Sequence, residues 1–406
     1  MVKQSSVRAH RSLIRTAAGL GGALALALSL SACGSSIGSD DTASADGPLK
    51  VGVIVPATGP ISTAGLALQA GFEIAVDKIN EDGGVNGQPV EFVVEDDRSD
   101  PAASTQVANR YAQDTDISLM FGTITGDTGV AVATVADQSR LPFATAILGD
   151  PATCTEYSWN FGESIHQLLE PIVPTLIEKY GPRVALVGSD YVFPRDYAAA
   201  AKVIVDDAGG EIVAEEYSPL GSTDFESTIG RLADANPDVI LSMVVGADAI
   251  IFTQQAAAFG LLTPEVGFEG APTDADYYPA LTDLVDGREK IVRWTDAFAD
   301  AESQEFVERY REKTGSTVPV PEVAANAYFA MRFIAAAANE AGVTDREGLN
   351  EAIGSYRYDS PLGEGTHFAG DRHILQAGMF TALIQPGGAY EIVEEHGMIE
   401  DTGAPC

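Results

Sequence analysis

The feature that most constrains this chain is the alternation of short apolar, β-branched runs with longer segments of helical periodicity. Residues 49–55 are apolar and β-rich. Leu68, Phe72, Ala75, Val76 and Ile79 then recur on one helix face, and Gly83-Gly84 follows the expected helix end. Further strands are predicted at 90–94, 117–121 and 141–147, and Asp100-Pro101 has the form of a helix N-cap followed by a first-turn proline. A second series opens near Arg183, with strands at 184–187, 211–217, 239–245, 265–268 and 291–294 and helices such as 225–235 and 249–259 between them. Parallel neighbours need a crossover, and a helix is the usual one, so the alternation predicts α/β architecture with doubly wound parallel sheets. Two series predict two lobes, for which 406 residues are ample. Helices carrying Phe306, Val307 and Tyr310, and spanning 324–338, follow. Thr344-Asp345-Arg346-Glu347 reads as a capping box, and 379–384 with 390–393 as a hairpin around Gln385-Pro386-Gly387-Gly388.

The stretch before the first strand reads differently. Residues 1–32 hold Lys3, Arg8, Arg11 and Arg15, no acid, and an apolar run over 17–30, the pattern of a secretion signal. Leu30-Ser31-Ala32-Cys33-Gly34 resembles the lipobox of bacterial lipoproteins. The resemblance implies cleavage before Cys33, lipidation of its thiol and anchoring on the outer face of the membrane. Residues 33–47 are small and polar and read as a flexible tether. Cys154 and Cys406 remain, either as a disulfide, which export permits, or as two thiols. The formal charge of −35 argues against nucleic acid and against adhesion to anionic lipid heads.

Ligands of open α/β sheets sit off the carboxyl ends of the strands. The third strand ends in Gly122-Thr123-Ile124-Thr125-Gly126, where hydroxyls and close backbone approach suit a small polar ligand, and Thr125 or Asp127 also suits an N-cap. The fourth supplies Ala144, Thr145 and Ala146. In the second series the run 184–187 leads into Gly188-Ser189-Asp190-Tyr191-Val192-Phe193, which offers Tyr191 and Phe193 as covering aromatics and Asp190 as a loop brace. Gly246, Ala247 and Asp274 complete the candidates, and Arg195 is the only cation near these segments.

No nucleophile elbow, phosphate loop or metal-spaced histidine pair is present, so no enzyme activity, cofactor or metal is expected. Asp96-Asp97 and Asp206-Asp207 read as a strand end and a polar helix face rather than as paired catalytic acids.

The string 188–195, with Glu215-Glu216-Tyr217-Ser218-Pro219-Leu220-Gly221-Ser222-Thr223-Asp224-Phe225 downstream, resembles the urea-binding and short-chain-amide-binding proteins. These belong to the type I periplasmic binding proteins, relatives of the branched-chain amino acid receptors of ABC transporters. Residues 53–60 and 79–87 also look like that family's first strand-turn and first helix end. The resemblance implies a monomer of two lobes, 48–165 with 299–356 and 166–298 with 357–406, joined by three hinge segments. It also implies capture of a small polar solute, of the urea/amide or amino acid class, by lobe closure and its delivery to permease subunits. The alternative is a receptor that signals occupancy to a partner protein. Ile124, Gly126 and Ala144-Thr145 stand where the amide receptors carry aromatics, a Ser and a Tyr-Pro pair, which makes the first-lobe half of the pocket roomier.

Overall fold

The computed structural model describes residues 47–59, 61–149, 155–370 and 372–403. The expected signal and lipidated Cys33, nearly all of the tether, and Cys154 and Cys406 lie outside the described residues.

Strand β1 (Lys50–Val55) lies inside the larger sheet and pairs in parallel with β2 (Glu91–Asp96) and β3 (Leu119–Gly122). The ladder continues in parallel through β4 (Phe143–Thr145) to β5 (Ser158–Asn160). Both faces of β1 are covered, which is why it reads as an unbroken apolar run. Val51, Val53 and Val55 pack with Leu68 and Phe72 of helix α1 (Ser62–Glu81). Ile54 faces the other side, toward Tyr111 of α2 (Pro101–Gln113) and Val132 of α3 (Gly126–Ser139). Asp100 caps α2 as expected, accepting from the amides of Ala102 and Ala103 at 2.7 and 3.0 Å. Asp96 accepts from the Ala57 and Thr58 amides and the Thr58 hydroxyl, while Asp97 is buried and takes the Ser104 hydroxyl; both are structural.

The smaller sheet runs β7-β6-β8-β9, all parallel: β6 (Arg183–Ser189), β7 (Glu211–Ser218), β8 (Val239–Met243) and β9 (Gly267–Gly270). The chain enters it through α4 (Ile165–Tyr180), whose start is fixed by a reciprocal box between Ser164 and Gln167. Helices α5 (Val192–Asp207), α6 (Glu226–Ala235) and α7 (Ala247–Ala258) are its crossovers. A short helix α8 (Tyr278–Leu281) precedes β10 (Glu289–Val292), and the chain then returns through 293–300 to α9 (Ala301–Thr314) and α10 (Glu322–Ala341). Helix α10 lies so close to α1 that a Cβ on Gly71 would stand 2.0 Å from the Ala324 carbonyl oxygen.

Two expectations for the last quarter are corrected. Helix α11 (Arg346–Ser355) is capped by Asp345, which accepts from the Gly348 amide at 3.0 Å. Thr344 instead donates to the Gly47 carbonyl, and Glu347 receives Arg140 and Tyr157. An aspartate one residue later offers the stronger acceptor, so the cap shifts, and with Gly348 at the third position no reciprocal box forms.

The second correction concerns residues 357–406, expected in the second lobe. Strands β11 (Arg357–Ser360) and β12 (Gly363–Ala369) and the start of β13 (Ile374–Ile384) extend the larger sheet, with Ile374 beside Asn160 of β5. Phe368, Leu375 and Ala377 join the core of that sheet. The far half of β13 pairs instead with β10 and with β14 (Tyr390–Ile399), and Met379 joins the core under β6 and β8. Local hairpin pattern is visible in sequence; which partner each half of an eleven-residue strand meets is not.

Candidate functional site

A cavity of about 140 Å³, open at one side, lies off the carboxyl ends of the strands of both sheets. Ile124, Thr125 and Gly126 reach it from the β3–α3 turn, Ile147 and Leu148 from beyond β4, and Ile61 and Ala64 from the start of α1. The opposite wall carries Tyr191, Phe193 and Tyr197 around the start of α5, with Met243 at the end of β8 and Val245 just beyond it.

The β3 turn is shaped by two unusual residues. Gly122 has φ +122°, and a Cβ there would sit 2.2 Å from the Ile54 carbonyl oxygen, so only glycine fits. Thr123 is left-handed at φ +62° and donates its amide to Ile54 at 2.6 Å. The bend turns the chain into α3 with Thr125 at the N-cap. The Thr125 hydroxyl meets that of Thr128 rather than capping an amide, which leaves the first amides of α3 without a side-chain cap.

Of the candidates from sequence, Ile124, Thr125, Gly126, Tyr191, Phe193 and Asp274 come together in the wall. Thr123, Ala144, Thr145 and Ala146 do not: they are fully buried beneath it, and the wall residues after β4 are Ile147 and Leu148. Gly246 and Ala247 also stand outside it, the Gly246 amide donating to the Tyr277 hydroxyl at 2.8 Å. Asp190 braces its loop as expected, accepting from Arg195 at 2.9 and 2.6 Å, and the Arg195 guanidinium lies 4.2 Å over the Tyr217 ring. Arg195 is therefore committed on the surface.

The floor carries four acids and one cation: Glu269, Asp274, Asp276, Glu322 and Lys290. Lys290 lies 2.7 Å from Asp274 and 3.7 Å from Glu269. Burial works against its charge, but Asp274, Glu269 and Glu322 outweigh it and hold the ammonium above the ordinary lysine range. Burial raises Glu269, with Lys290 opposing. Burial and then Glu163 push Glu322 well above the usual carboxylate range. Burial, then Asp274, push Asp276 up to about 7. Burial also raises the Tyr191 and Tyr277 phenols, which stay neutral donors.

Behind this floor a buried knot ties the sheets together. Arg293, just after β10, is fully buried and donates to the Phe161 carbonyl at 2.6 Å and the Gln167 side chain at 3.0 Å, with Glu163 at 3.4 Å. Gln167 in turn donates to the carbonyls of Leu375 and Ile399. Glu322 accepts from the Arg293 amide at 2.5 Å, so one acid touches both the knot and the cavity.

Asp276, Tyr277, Lys290 and Glu322 were not anticipated. Glu322 follows a proline at the start of a helix, and Lys290 lies between Glu289 and Ile291 in β10, so neither is marked locally as a cavity residue.

The comparisons agree with this geometry. Residues 48–389 match the family model described as Periplasmic binding protein. The Leu/Ile/Val-binding protein homolog 7 of Brucella suis is 24% identical over 384 residues, covering 89% of this chain and 95% of that protein. A leucine-, isoleucine-, valine-, threonine-, and alanine-binding protein of Pseudomonas aeruginosa is 25% identical over 320 residues, 78% of this chain and 84% of that one. Among solved structures, a Rhodopseudomonas palustris ABC transporter solute binding protein in complex with benzoate superposes with TM-score 0.78 at 21% identity, covering 89% of this chain and 99% of that one.

Proposed function

The chain belongs to the periplasmic binding protein family, with its type I fold and extracytoplasmic place, and from that premise we propose that it is the solute-binding component of an ABC transporter. It captures a small solute of the amino acid class, with an apolar body, between the two sheets and presents it to permease subunits. The observation that carries this reading is the composition of the cavity wall. Ile61, Ile124, Ile147, Leu168 and Val323 make its apolar part, Thr125 and Gly126 at the start of α3 reach the same cavity, and the acids of the floor line it too. Helix-start amides suit a carboxylate or carbonyl oxygen, and the apolar part suits an aliphatic or aromatic side chain. Urea and acetamide would leave most of that apolar surface uncovered, so the larger solute is favoured over the short amides. The relatives named as Leu/Ile/Val-binding proteins support the same class.

Closure by hinge bending is the step that buries the solute. Tyr191 and Phe193 cover it from the second lobe. Gly149 supports this: at φ +98°, a Cβ there would stand 2.3 Å from the Phe193 ring, so the two walls meet where no side chain intervenes.

A thermal-shift panel of urea, short amides, aliphatic and aromatic amino acids and small peptides tests the reading. A solute at a hundred times its Kd stabilises by about 2.7 kcal/mol, a visible rise in Tm. A rise confined to apolar amino acids supports the proposal; a rise with urea or acetamide alone sinks it. Stimulation of a permease ATPase by the liganded protein separates delivery from signalling. Anchoring through Cys33 is tested by fractionation, where Cys33→Ala moves the protein out of the membrane fraction.

A further inference from the structure

Among the described residues the chain passes between the two sheets along 161–164, leaving β5 for α4, along 293–300, leaving β10 for α9, and inside β13. Within β13, Ala377 belongs to the core of the larger sheet and Met379 to the core under β6 and β8. Strand β14 runs back beside this last passage, with Ile399 opposite Ala377. One side chain touches all of these segments. Gln167, in the first turn of α4, is fully buried. Its oxygen accepts from the Ser164 amide and from the Arg293 guanidinium, each at 3.0 Å. Its nitrogen donates to the carbonyls of Leu375 at 3.0 Å and Ile399 at 2.9 Å.

A side-chain amide has two donor hydrogens and two acceptor sites, and here all four are used. Donors face its oxygen and acceptors face its nitrogen, so a flipped amide would lose every bond. Each such bond adds little net stability, but leaving one unmade in the interior is costly, so the partners are held about one centre. Those partners lie on the crossing segments themselves. Arg293 is fixed in turn by the Phe161 carbonyl, and Glu163 beside it takes both of its bonds from Asn326 of α10, at 3.2 and 2.9 Å. The walls that carry Phe193 and Gly149 must part when the cleft opens; points on the axis of that rotation need not.

We infer that the Gln167 side chain is the pivot of lobe closure: it pins the crossings at one point, so the second lobe turns toward the first along one path and brings Tyr191 and Phe193 into place over the solute. This rests on the solute-capture reading above and names the positioning residue of its motion. Gln167 stands outside the cavity wall and acts through the walls it orients. Without the pin the second lobe samples orientations in which the cavity is not assembled, and the apparent affinity falls with the population of the competent one.

Gln167→Met keeps the length of the side chain and removes all four bonds. Leu232→Ala, in the core under α6 and outside the cavity wall, is the control for lost stability alone. Calorimetry with L-leucine, L-valine and L-phenylalanine reads affinity, and small-angle scattering reads the fall in radius of gyration on binding. Gln167→Met is expected to bind about tenfold or more weakly and to compact less, while Leu232→Ala lowers Tm and keeps both. Hydrogen exchange on the parent reads the pivot without any variant having to fold. Peptides covering 161–167 and 374–378 are expected to be equally protected with and without the amino acid. Protection that appears only with solute would make Gln167 a latch of the closed form and overturn the inference. A folded Gln167→Met with parental affinity and compaction also overturns it, as does a Leu232→Ala that loses as much affinity as Gln167→Met. Each of these leaves solute capture standing. Failure of the parent to bind any of the three amino acids overturns the capture reading for that class, and this inference with it.

Discussion

Asp276 makes a prediction about pH. Its carboxyl is pushed up to about 7 by burial and then by Asp274. The charged or titratable groups around it are Asp274 and Tyr277 on its own loop, Glu269 on β9, Lys290 on β10, Tyr310 on α9, Glu322 on α10 and Tyr390 on β14. Below pH 7 the acid is neutral and offers a cation little; above it the acid is ionised. Affinity for an apolar amino acid should therefore climb as pH rises from 6 to 8 if its ammonium lies near this acid, and calorimetry on Asp276→Asn should find the climb reduced. The unliganded protein should move the other way. Its folded carboxyl keeps a proton that the unfolded chain has lost, so this group's contribution to stability falls as pH rises from the ordinary aspartate range through about 7. Tyr191→Ala should weaken capture about tenfold or more by uncovering the solute, seen as a smaller ligand-induced rise in Tm. Tyr191 and Phe193 were legible because a turn after a buried strand points toward a cleft whatever the details. Asp276 and Lys290 were not, because an isolated acid in a loop and a lysine in a strand look like surface residues until the partners that bury them are known.

Among the elements, the closest fit is between α1 and α10. Gly71→Ala places its Cβ 2.0 Å from the Ala324 carbonyl oxygen, a clash with backbone that no rotamer relieves. The helices must part, at a cost of about 1–3 kcal/mol, which a denaturation midpoint at unchanged m would report. That α1, α2 and the strands around them could be placed from sequence reflects their strong periodicity and, for α2, the Asp100-Pro101 start. β5 escaped because Ser-Trp-Asn carries no alternation to detect. The wall residues after β4 were placed too early because the apolar run 141–147 does not say where the strand stops. β4 ends at Thr145, so Ala144 and Thr145 are still in the ladder, and the cavity begins with Ile147.

At the scale of the molecule, the Arg293 knot is where the crossings between sheets meet. Arg293 and Glu163 are both fully buried, and removing the cation alone strands the acid. Arg293→Met should therefore cost about 3–5 kcal/mol, measured by chemical denaturation. Small-angle scattering should also find the radius of gyration of the unliganded variant less well defined, because the same side chain ties Phe161 to Gln167 across the hinge. The shared strand β13 has a consequence in time rather than in space. Strands β1 to β5 are made early, yet the open edge of β5 finds its neighbour only at Ile374, far along the chain. The larger sheet is thus joined across β5 by a contact between residues 160 and 374, and a contact of such long sequence separation is slow to form. For a protein that works outside the cytoplasm such delay is useful, since the larger sheet keeps an open edge at β5 until Ile374 has reached it.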